Sequence, residues 1–242
     1  MGARRILVTD LDGTLLGDDD ALDRFASWYA TSEDRYRLVY ATGRSLGELR
    51  ALIARTRLPE PDAQSVSVGT ELYDRAGSPW PGWSERFEGW DAARARRALA
   101  GIGWLRPQDA GAQTRLKASF TAPGLTADEL DLLRAALEAA GLEATLVYSS
   151  SLYLDVLAPG SGKGESAAVL ARAWGARDRD VLVFGDSGND LQMFQRGFRG
   201  TVVANALSEL TRAVGPGTYR SPHPFADGVL DGIRHWSRRA DA

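Results

Sequence analysis

The stretch that decides the fold is Ile6-Leu7-Val8-Thr9-Asp10-Leu11-Asp12-Gly13-Thr14. Its apolar start predicts a buried strand, and two carboxylates separated by one residue end it. Because extended chain places residues i and i+2 on the same side, Asp10 and Asp12 point together, and a turn at Gly13 brings the backbone close beside them. The C-terminal end of a strand is where open α/β sheets bind ligands. One acid can therefore attack a substrate while the other transfers protons.

Three further stretches favour a functional site over a plain Asp-Gly turn, which the first stretch alone leaves open. In chain order they are Ala41-Thr42-Gly43-Arg44 after an apolar run, Gly162-Lys163-Gly164 before a predicted helix, and Gly185-Asp186-Ser187-Gly188-Asn189-Asp190 after Val181-Leu182-Val183-Phe184. The set resembles the four signature motifs of the haloacid-dehalogenase-like (HAD) phosphohydrolases. This resemblance implies a Rossmann-like α/β core built on a parallel sheet.

Composition indicates a globular protein and argues against several other classes. Hydrophobic residues make up 44% of the chain and charged residues 25%, so its 242 residues can bury a core. A net charge of −3 gives no electrostatic reason to bind nucleic acid or a membrane, and no apolar run suits a membrane span or signal peptide. The absence of cysteine excludes disulfides and thiolate metal sites. We expect a monomer in the cytoplasm.

Strand and helix patterns alternate at the beginning of the chain, which predicts a parallel sheet. The predicted order is strand 5–10, helix 21–30, strand 36–41, helix 45–57 and strand 64–68. The acidic run Asp18-Asp19-Asp20 is interpreted as a helix cap and not as a metal site. The same alternation returns after residue 160, with helix 164–174, strand 181–184, helix 190–196, strand 201–203, helix 207–214 and helix 227–237.

Between residues 80 and 159 the pattern is that of an inserted α+β domain. An aromatic-rich helix is followed by a strand at 114–121, a helix at 126–140, and strands at 144–148 and 152–157. We therefore divide the chain into a catalytic core, residues 1–79 and 160–242, and a cap, residues 80–159. Trp83, Phe87 and Trp90 fall on one face of the predicted helix, which favours core packing over a carbohydrate platform.

The four motifs carry the oxygen ligands and acids that phosphoryl transfer needs. Asp10 is the predicted nucleophile, which would form an aspartyl-phosphate, and Asp12 the predicted general acid and base. Two carboxylates facing a phosphate would repel it, so a hard cation is expected, and oxygen-only ligands suit Mg²⁺. The predicted metal ligands are Asp10, Asp12, Asp186 and Asp190. Taken alone, residues 185–190 also suit a loop with a helix N-cap.

The phosphate itself is expected to meet amides and one ammonium group. Thr42 and the amides of Gly43 and Arg44 stand at a strand end before a helix, although Thr42 or Ser45 is also a plausible helix N-cap. Of 29 basic residues only Lys117 and Lys163 are lysine, so lysine is used where a compact charge is wanted. Lys163, between two glycines, is predicted to bind phosphate, and Asn189 to bind phosphate or orient its loop.

Three residues are candidates for contact with the rest of the substrate. Lys117 lies in a predicted cap strand, where the alternatives are a solvated lysine and a substrate contact. Thr70 and Glu71 follow a core strand near the hinge, where Glu71 is either an acceptor for sugar hydroxyls or a surface acid.

A closer resemblance covers the whole chain. It rests on residues 11–18, 40–45, 68–73 and 183–190 and on the tryptophans that begin the cap, all of which look like those of the sucrose-phosphate phosphatases. That family implies a type-2 (IIB, C2B-type) cap and a Mg²⁺-dependent phosphatase of phosphorylated disaccharides or glycosides, such as sucrose 6-phosphate. Two features depart from it: Gly13 where many members have Asn, and Leu152-Tyr153-Leu154 where polar residues are expected near a disaccharide.

Two other functions remain open on this fold. A phosphomutase or phosphotransferase would use Asp10 in the same way but pass the phosphate to a sugar instead of to water. A non-enzymatic sensor of sugar phosphates would keep the fold and the binding without turnover. Walker-type nucleotide binding is rejected because Gly160–Gly164 lacks the required spacing and the Lys-Ser/Thr pair.

Overall fold

The structure of the protein is a computed structural model that describes residues 4–239. Its strands are β1 (Arg5–Thr9), β2 (Tyr36–Ala41), β3 (Ala63–Val66), β4 (Glu71–Asp74), β5 (Arg106–Pro107), β6 (Lys117–Thr121), β7 (Thr145–Ser149), β8 (Tyr153–Leu157), β9 (Val181–Gly185), β10 (Arg199–Val202) and β11 (Tyr219–Arg220). Its α-helices are α1 (Asp19–Ala30), α2 (Leu46–Arg55), α3 (Ala92–Leu99), α4 (Ala127–Ala139), α5 (Lys163–Ala173), α6 (Leu191–Phe194), α7 (Ser208–Ala213) and α8 (Phe225–Arg238). Within residues 4–239 no helix is both long and apolar enough to cross a bilayer.

The larger sheet is parallel apart from one edge strand. Its order is β11-β10-β9-β1-β2-β3-β4, and only β4 runs antiparallel to its neighbour. Side chains of β1 alternate between two apolar layers: Ile6 and Val8 pack with α5, whereas Leu7 packs with α1 and α8. A strand that is covered on both faces must be apolar at nearly every position, which explains the continuous apolar runs in the sequence.

The register of this sheet aligns the strand ends that carry the motifs. Thr9, the last residue of β1, pairs with Tyr40 of β2 and with Phe184 of β9. The chain therefore leaves all three strands at one edge, and the residues that follow each strand meet there.

A second, antiparallel sheet is formed by the inserted segment. Its order is β5-β6-β8-β7, and side chains of α3 and α4, such as Leu99 and Leu133, pack in one cluster with Phe120 and Leu154 from the sheet. The strands of this sheet lie within residues 106–157, and the domain boundaries at 79/80 and 159/160 stay predictions.

The aromatic stretch that begins the insert is not the α-helix that the sequence predicts. It forms only a short 3₁₀ turn at Ser84–Phe87, because Gly82 and Gly89 on either side take positive φ angles of 74° and 80°. Trp83, Phe87 and Trp90 are nevertheless buried, so the prediction that these aromatics pack in a core is confirmed although the element was wrong.

Other differences concern element ends and short elements. Helix α2 begins at Leu46, and Ser45 is its N-cap in a capping box with Glu48, which leaves Thr42 outside the helix. The predicted strand 114–121 begins only at Lys117. The sequence patterns missed the short strands β4, β5 and β11, because strands of two to four residues carry little periodic signal. They also missed helix α3.

Candidate active site

The first acid of the opening motif is buried at the shared strand edge. Asp10 follows β1 directly, its amide donates to the carbonyl oxygen of Phe184 in β9 at 3.1 Å, and the residue is 4% exposed. This backbone bond ties the nucleophile candidate to the strand that leads into the last motif. Asp10 is therefore held by two neighbouring strands and not by a free loop.

The lysine of the third motif donates all of its hydrogen bonds to residues of other motifs. Lys163 is the first residue of α5 and is fully buried. Its Nζ atom donates to oxygens of Asp10, Asn189 and Asp190, each at 2.7 Å. An ammonium group has three donors, so all of them are used, and a phosphate oxygen would have to replace one of these partners. Burial opposes the charged form of Lys163, but the negative charges of Asp10 and Asp190 have the larger effect and raise the pKa of this lysine.

The two acids of the last motif are fixed by hydrogen bonds from their own loop and from the opening motif. One oxygen of Asp190 accepts from the amides of Asp186 and Ser187 at 2.9 and 3.2 Å. Asp186 accepts from the hydroxyl of Thr14 at 3.0 Å. Gly13 has a φ of 86°, and a Cβ atom there would lie 2.5 Å from an oxygen of Asp186, so only glycine allows the two motifs to approach this closely.

Three carboxylates form a cluster that fits a divalent cation. Oxygens of Asp10, Asp186 and Asp190 lie within 4.8 Å of one another. Within residues 4–239 the cation paired with this cluster is Lys163, so three ionised carboxylates would leave an excess of two negative charges. Burial raises the pKa of Asp10 well above its usual range, against the opposing charge of Lys163. Burial, and then the charge of Asp190, raises the pKa of Asp186 to about 6. A hard cation with oxygen ligands would relieve this repulsion.

The second acid of the opening motif lies apart from that cluster. The Asp12 side chain is 55% exposed and forms a bidentate ion pair with Arg44, with N–O distances of 2.8 and 2.5 Å. Of the four predicted metal ligands, the structure thus brings together the carboxylates of three and leaves that of Asp12 at the cavity wall. The sequence singled out only the amide of Arg44, whereas its guanidinium group makes this contact.

The second motif contributes a rigid backbone turn. Thr42 is buried, its amide donates to Ser65 at 2.9 Å, and its carbonyl oxygen accepts from Val68 at 2.9 Å. The Thr42 hydroxyl accepts from the amide of Arg44 at 3.2 Å. Gly43 and Arg44 line the cavity, and Thr42 supports them from behind.

A cavity of about 410 Å³ separates this edge from the antiparallel sheet, a volume that suits a small-molecule ligand. A larger hollow of about 620 Å³ borders α1 and α8, but none of its lining residues belongs to a motif. The smaller cavity is therefore the candidate site. Its core wall includes Asp10, Asp12, Gly43, Arg44, Ser67, Val68, Asp186 and Asn189, and its cap wall includes Gln108, Lys117, Ser149, Ser150, Tyr153 and Asp155.

The cap wall carries a buried polar group that the sequence revealed only in part. Lys117 is 5% exposed and donates to the hydroxyl of Ser119 at 2.8 Å. Ser119 donates in turn to Asp155 at 2.5 Å, and the Lys117 ammonium lies 3.5 Å from the same carboxylate. Ser119 and Asp155 are cross-strand partners on β6 and β8. They were missed because their pairing links residues 36 apart, and the only sequence signal was their period-two spacing from Lys117 and Tyr153.

Two predicted substrate residues do not line this cavity. Thr70 is buried and donates through its hydroxyl to Ser67 at 2.9 Å, and Glu71 accepts from the hydroxyl of Tyr73 at 3.3 Å. Both border a separate cavity of about 200 Å³ beside Trp83. The turn at Ser67–Gly69 reverses the chain into β4, so residues 67 and 68 reach the site instead.

Comparison with known proteins now identifies the family. A sequence model of the family described as sucrose-6F-phosphate phosphohydrolase matches residues 3–237. The chain belongs to this family. The predictions of a sucrose-phosphate phosphatase-like protein and of a phosphoric monoester hydrolase acting on sugar phosphates are thereby confirmed.

Individual relatives agree with this assignment. The mannosylfructose-phosphate phosphatase of Agrobacterium fabrum is 36% identical over 239 residues, which cover 96% of each chain. Sucrose-phosphatase 2 of Nicotiana tabacum is 32% identical over 251 residues, covering 96% of this chain but 59% of that one. This chain thus spans less than two thirds of the plant protein.

Solved structures confirm the fold class. The sucrose-phosphatase of Synechocystis sp. PCC6803, determined in complex with sucrose and phosphate, matches with a TM-score of 0.92 and 30% identity over 98% of this chain and 99% of that one. A HAD subclass IIB sugar phosphatase matches with a TM-score of 0.71 at 16% identity over 96% and 99% of the two chains, a likeness of fold alone. The predicted α/β core with an inserted α+β cap is thereby confirmed.

Proposed function

We propose that this protein is a Mg²⁺-dependent phosphatase that hydrolyses the phosphate monoester of a disaccharide or glycoside through an aspartyl-phosphate on Asp10. The observation that carries the proposal is one cavity with two different walls. Its core wall holds Asp10 and Asp186, to which the fully buried Lys163 and Asp190 are hydrogen-bonded, and its cap wall holds Lys117 and Asp155, which the buried Ser119 joins. A charged phosphate fits the first wall, and a polyhydroxylated leaving group fits the second.

The residues of the core wall suit a two-step displacement. A carboxylate oxygen of Asp10 attacks phosphorus, the bond from phosphorus to the sugar oxygen breaks, and Asp12 donates its proton to the departing oxygen. Asp12 then removes a proton from water, whose oxygen attacks phosphorus, and the bond to Asp10 breaks to release inorganic phosphate. Asp12 lies at the cavity wall, where both of its oxygens accept from Arg44, so it would separate from this guanidinium to carry the proton that it donates.

Asp10, Asp186 and Asp190 are the residues that would hold the cation, with Asp12 as a further candidate. A bound Mg²⁺ would neutralise charge on the phosphoryl oxygens. Lys163 would exchange one of its present partners for a phosphate oxygen, with Asn189 orienting its ammonium group. Gly43 would offer its backbone amide to the phosphate, and Arg44 would do so once its amide is released from the Thr42 hydroxyl.

The test is phosphate release by the purified protein from phosphate esters of sucrose, mannosylfructose, glucose and fructose, each with Mg²⁺ and with a chelator. We expect a disaccharide ester to exceed the monosaccharide esters in kcat/KM by about tenfold or more, since only the larger leaving group reaches both walls. The chelator should abolish turnover. Absence of phosphate release from every ester would contradict the proposal and favour a sensor, and phosphate recovered on a sugar acceptor would favour a phosphotransferase.

A further inference from the structure

The cap touches the core at a second place besides the cavity, through the turn that joins β7 and β8. This turn contains Ser150 and Ser151 and is closed by a hydrogen bond from the amide of Leu152 to the carbonyl oxygen of Ser149 at 3.1 Å. Ser150 also lines the cavity. Any movement of this turn therefore changes a wall of the candidate active site.

The turn has a backbone conformation that needs support. Ser150 and Ser151 have φ angles of 57° and 50°, the left-handed pair of a type I′ turn, for which glycine and asparagine are strongly preferred. Two successive amides in such a turn form a concave donor site for an anion. The sequence supplies no glycine here, so the conformation depends on a partner outside the turn.

That partner is one carboxylate from the core. Glu209, on α7, accepts from the amides of Ser150 at 2.7 Å and Ser151 at 3.2 Å. The oxygen that accepts from Ser150 also accepts from the amide of Gly188 at 2.7 Å, and Gly188 belongs to the loop between Asp186 and Asp190. One side chain therefore joins the cap turn to the loop that carries the carboxylate cluster.

The joint is also sterically tight. A Cβ atom at Gly188 would lie 2.3 Å from the carbonyl oxygen of Tyr148 in β7 and 3.0 Å from the carboxylate of Glu209. No larger residue fits between the cap strand and this loop in the present conformation. The glycine at position 188 is thus explained by contact with the cap as well as by loop geometry.

We propose that Glu209 is a positioning residue that latches the cap turn onto the loop Gly185–Asp190 when the cap is closed. This inference rests on the proposed function for its catalytic consequence, but the latch itself does not. Glu209 does not line the cavity, so it acts through Ser150 and Gly188 and stabilises the closed state that a sugar ester needs. An opened cap would lose the hydrogen bonds from the amides of Ser150 and Ser151 to Glu209. The two serines would then keep a left-handed conformation without support.

Amide hydrogen exchange without substrate tests the latch directly. In Glu209→Ala we expect exchange at Ser150, Ser151 and Gly188 to accelerate by about tenfold, because three amides lose a charged acceptor. Glu209→Gln keeps one oxygen for Ser150 and Gly188, so only Ser151 should accelerate. Arg212→Ala, an exposed change on the same helix, is the matched control. Unchanged exchange at these three amides in Glu209→Ala would overturn the proposal. If that variant fails to fold, acceleration in Glu209→Gln that is not confined to Ser151 would overturn it instead.

Kinetics then separate positioning from a general loss of structure. For the disaccharide ester that is turned over best, Glu209→Ala should raise KM by about tenfold, with kcat falling by less than about threefold. Glu209→Gln should show only a small part of this increase in KM. For p-nitrophenyl phosphate, whose leaving group does not need the cap wall, kcat/KM should stay within about twofold of the wild type. Equal losses for both substrates would indicate a merely structural role and overturn the assignment. Absence of turnover in the wild type would contradict the proposed function, whereas the exchange result would still judge the latch.

Discussion

The core side of the cavity has three buried carboxylates and one buried ammonium, of which Asp10 and Asp186 reach the wall, whereas the cap side has one lysine, one serine and one carboxylate joined across two antiparallel strands. The carboxylate cluster with Lys163 has excess negative charge, which a bound cation would compensate. The cap group pairs one positive with one negative charge and offers hydrogen bonds. The carboxylate cluster lies at strand ends, where backbone amides and a cation can compensate its negative charge. The cap group lies along strands, where its side chains compensate one another and can offer hydrogen bonds to a ligand.

The strongest way to break this comparison is to remove the nucleophile. Asp10→Asn should lower kcat by about a thousandfold or more, because an amide oxygen does not form the acyl-phosphate link. Thermal unfolding should stay close to the wild type, because the relief of repulsion among the buried carboxylates offsets the loss of the ion pair with Lys163. Asp178→Asn, an exposed aspartate outside the site, is the control for an Asp-to-Asn change. Retained phosphate release in Asp10→Asn would move the nucleophile elsewhere.

The next largest effect is expected from the buried ammonium. Lys163→Met should abolish turnover and lower the free energy of unfolding by about 3–5 kcal/mol, because it leaves buried carboxylates without their cation. Urea unfolding near neutral pH measures this loss. Lys117→Met is the comparison in the cap, and we expect it to lower the free energy of unfolding by less than Lys163→Met does. A loss of less than about 1 kcal/mol in Lys163→Met, or an equal loss in Lys117→Met, would remove the distinction between the two walls.

Changes in the cap wall should act on substrate choice alone. Asp155→Asn keeps the shape of the side chain but removes the charge beside Lys117, and we expect KM for a disaccharide ester to rise by about tenfold while Mg²⁺ dependence is unchanged. Glu71→Gln, in the separate cavity beside Trp83, is the matched control and should leave KM within about twofold. A larger effect at Glu71 than at Asp155 would place the sugar site at the hinge instead.

Repulsion within the core cluster should affect stability when no metal is bound. Without metal, Asp186→Asn should stabilise the protein by about 2 kcal/mol near neutral pH, because burial and Asp190 make the charge of Asp186 unfavourable. The wild-type carboxylate takes up a proton as pH falls through its raised pKa of about 6, so the advantage of the variant should shrink between pH 6 and about pH 4. Added Mg²⁺ should reverse the order of melting temperatures. An advantage that does not depend on pH would point to a cause other than charge.

Sequence patterns were sufficient for the elements whose signal is local. An apolar run followed by acids predicted β1 and the acids after it, and apolar runs followed by polar motifs predicted β2, β9 and the meeting of these motifs at one edge. Parallel strands present their carboxyl ends at the same edge of a sheet, so little tertiary detail is needed to bring these residues together. The position of Lys163 is also local in origin, because a helix N-terminus presents its first side chain at that edge.

The amino-acid sequence by itself determined the alternation of strands and helices, the presence of an α+β insert and the four motif loops, because each depends on residues close together in the chain. Only the tertiary structure decided that Asp12 pairs with Arg44, that Lys117 meets Asp155, that Glu71 faces another cavity and that Glu209 joins the cap to the core. Each of these depends on packing between residues far apart in the chain, and no local pattern of polarity specifies which charged groups such packing brings together.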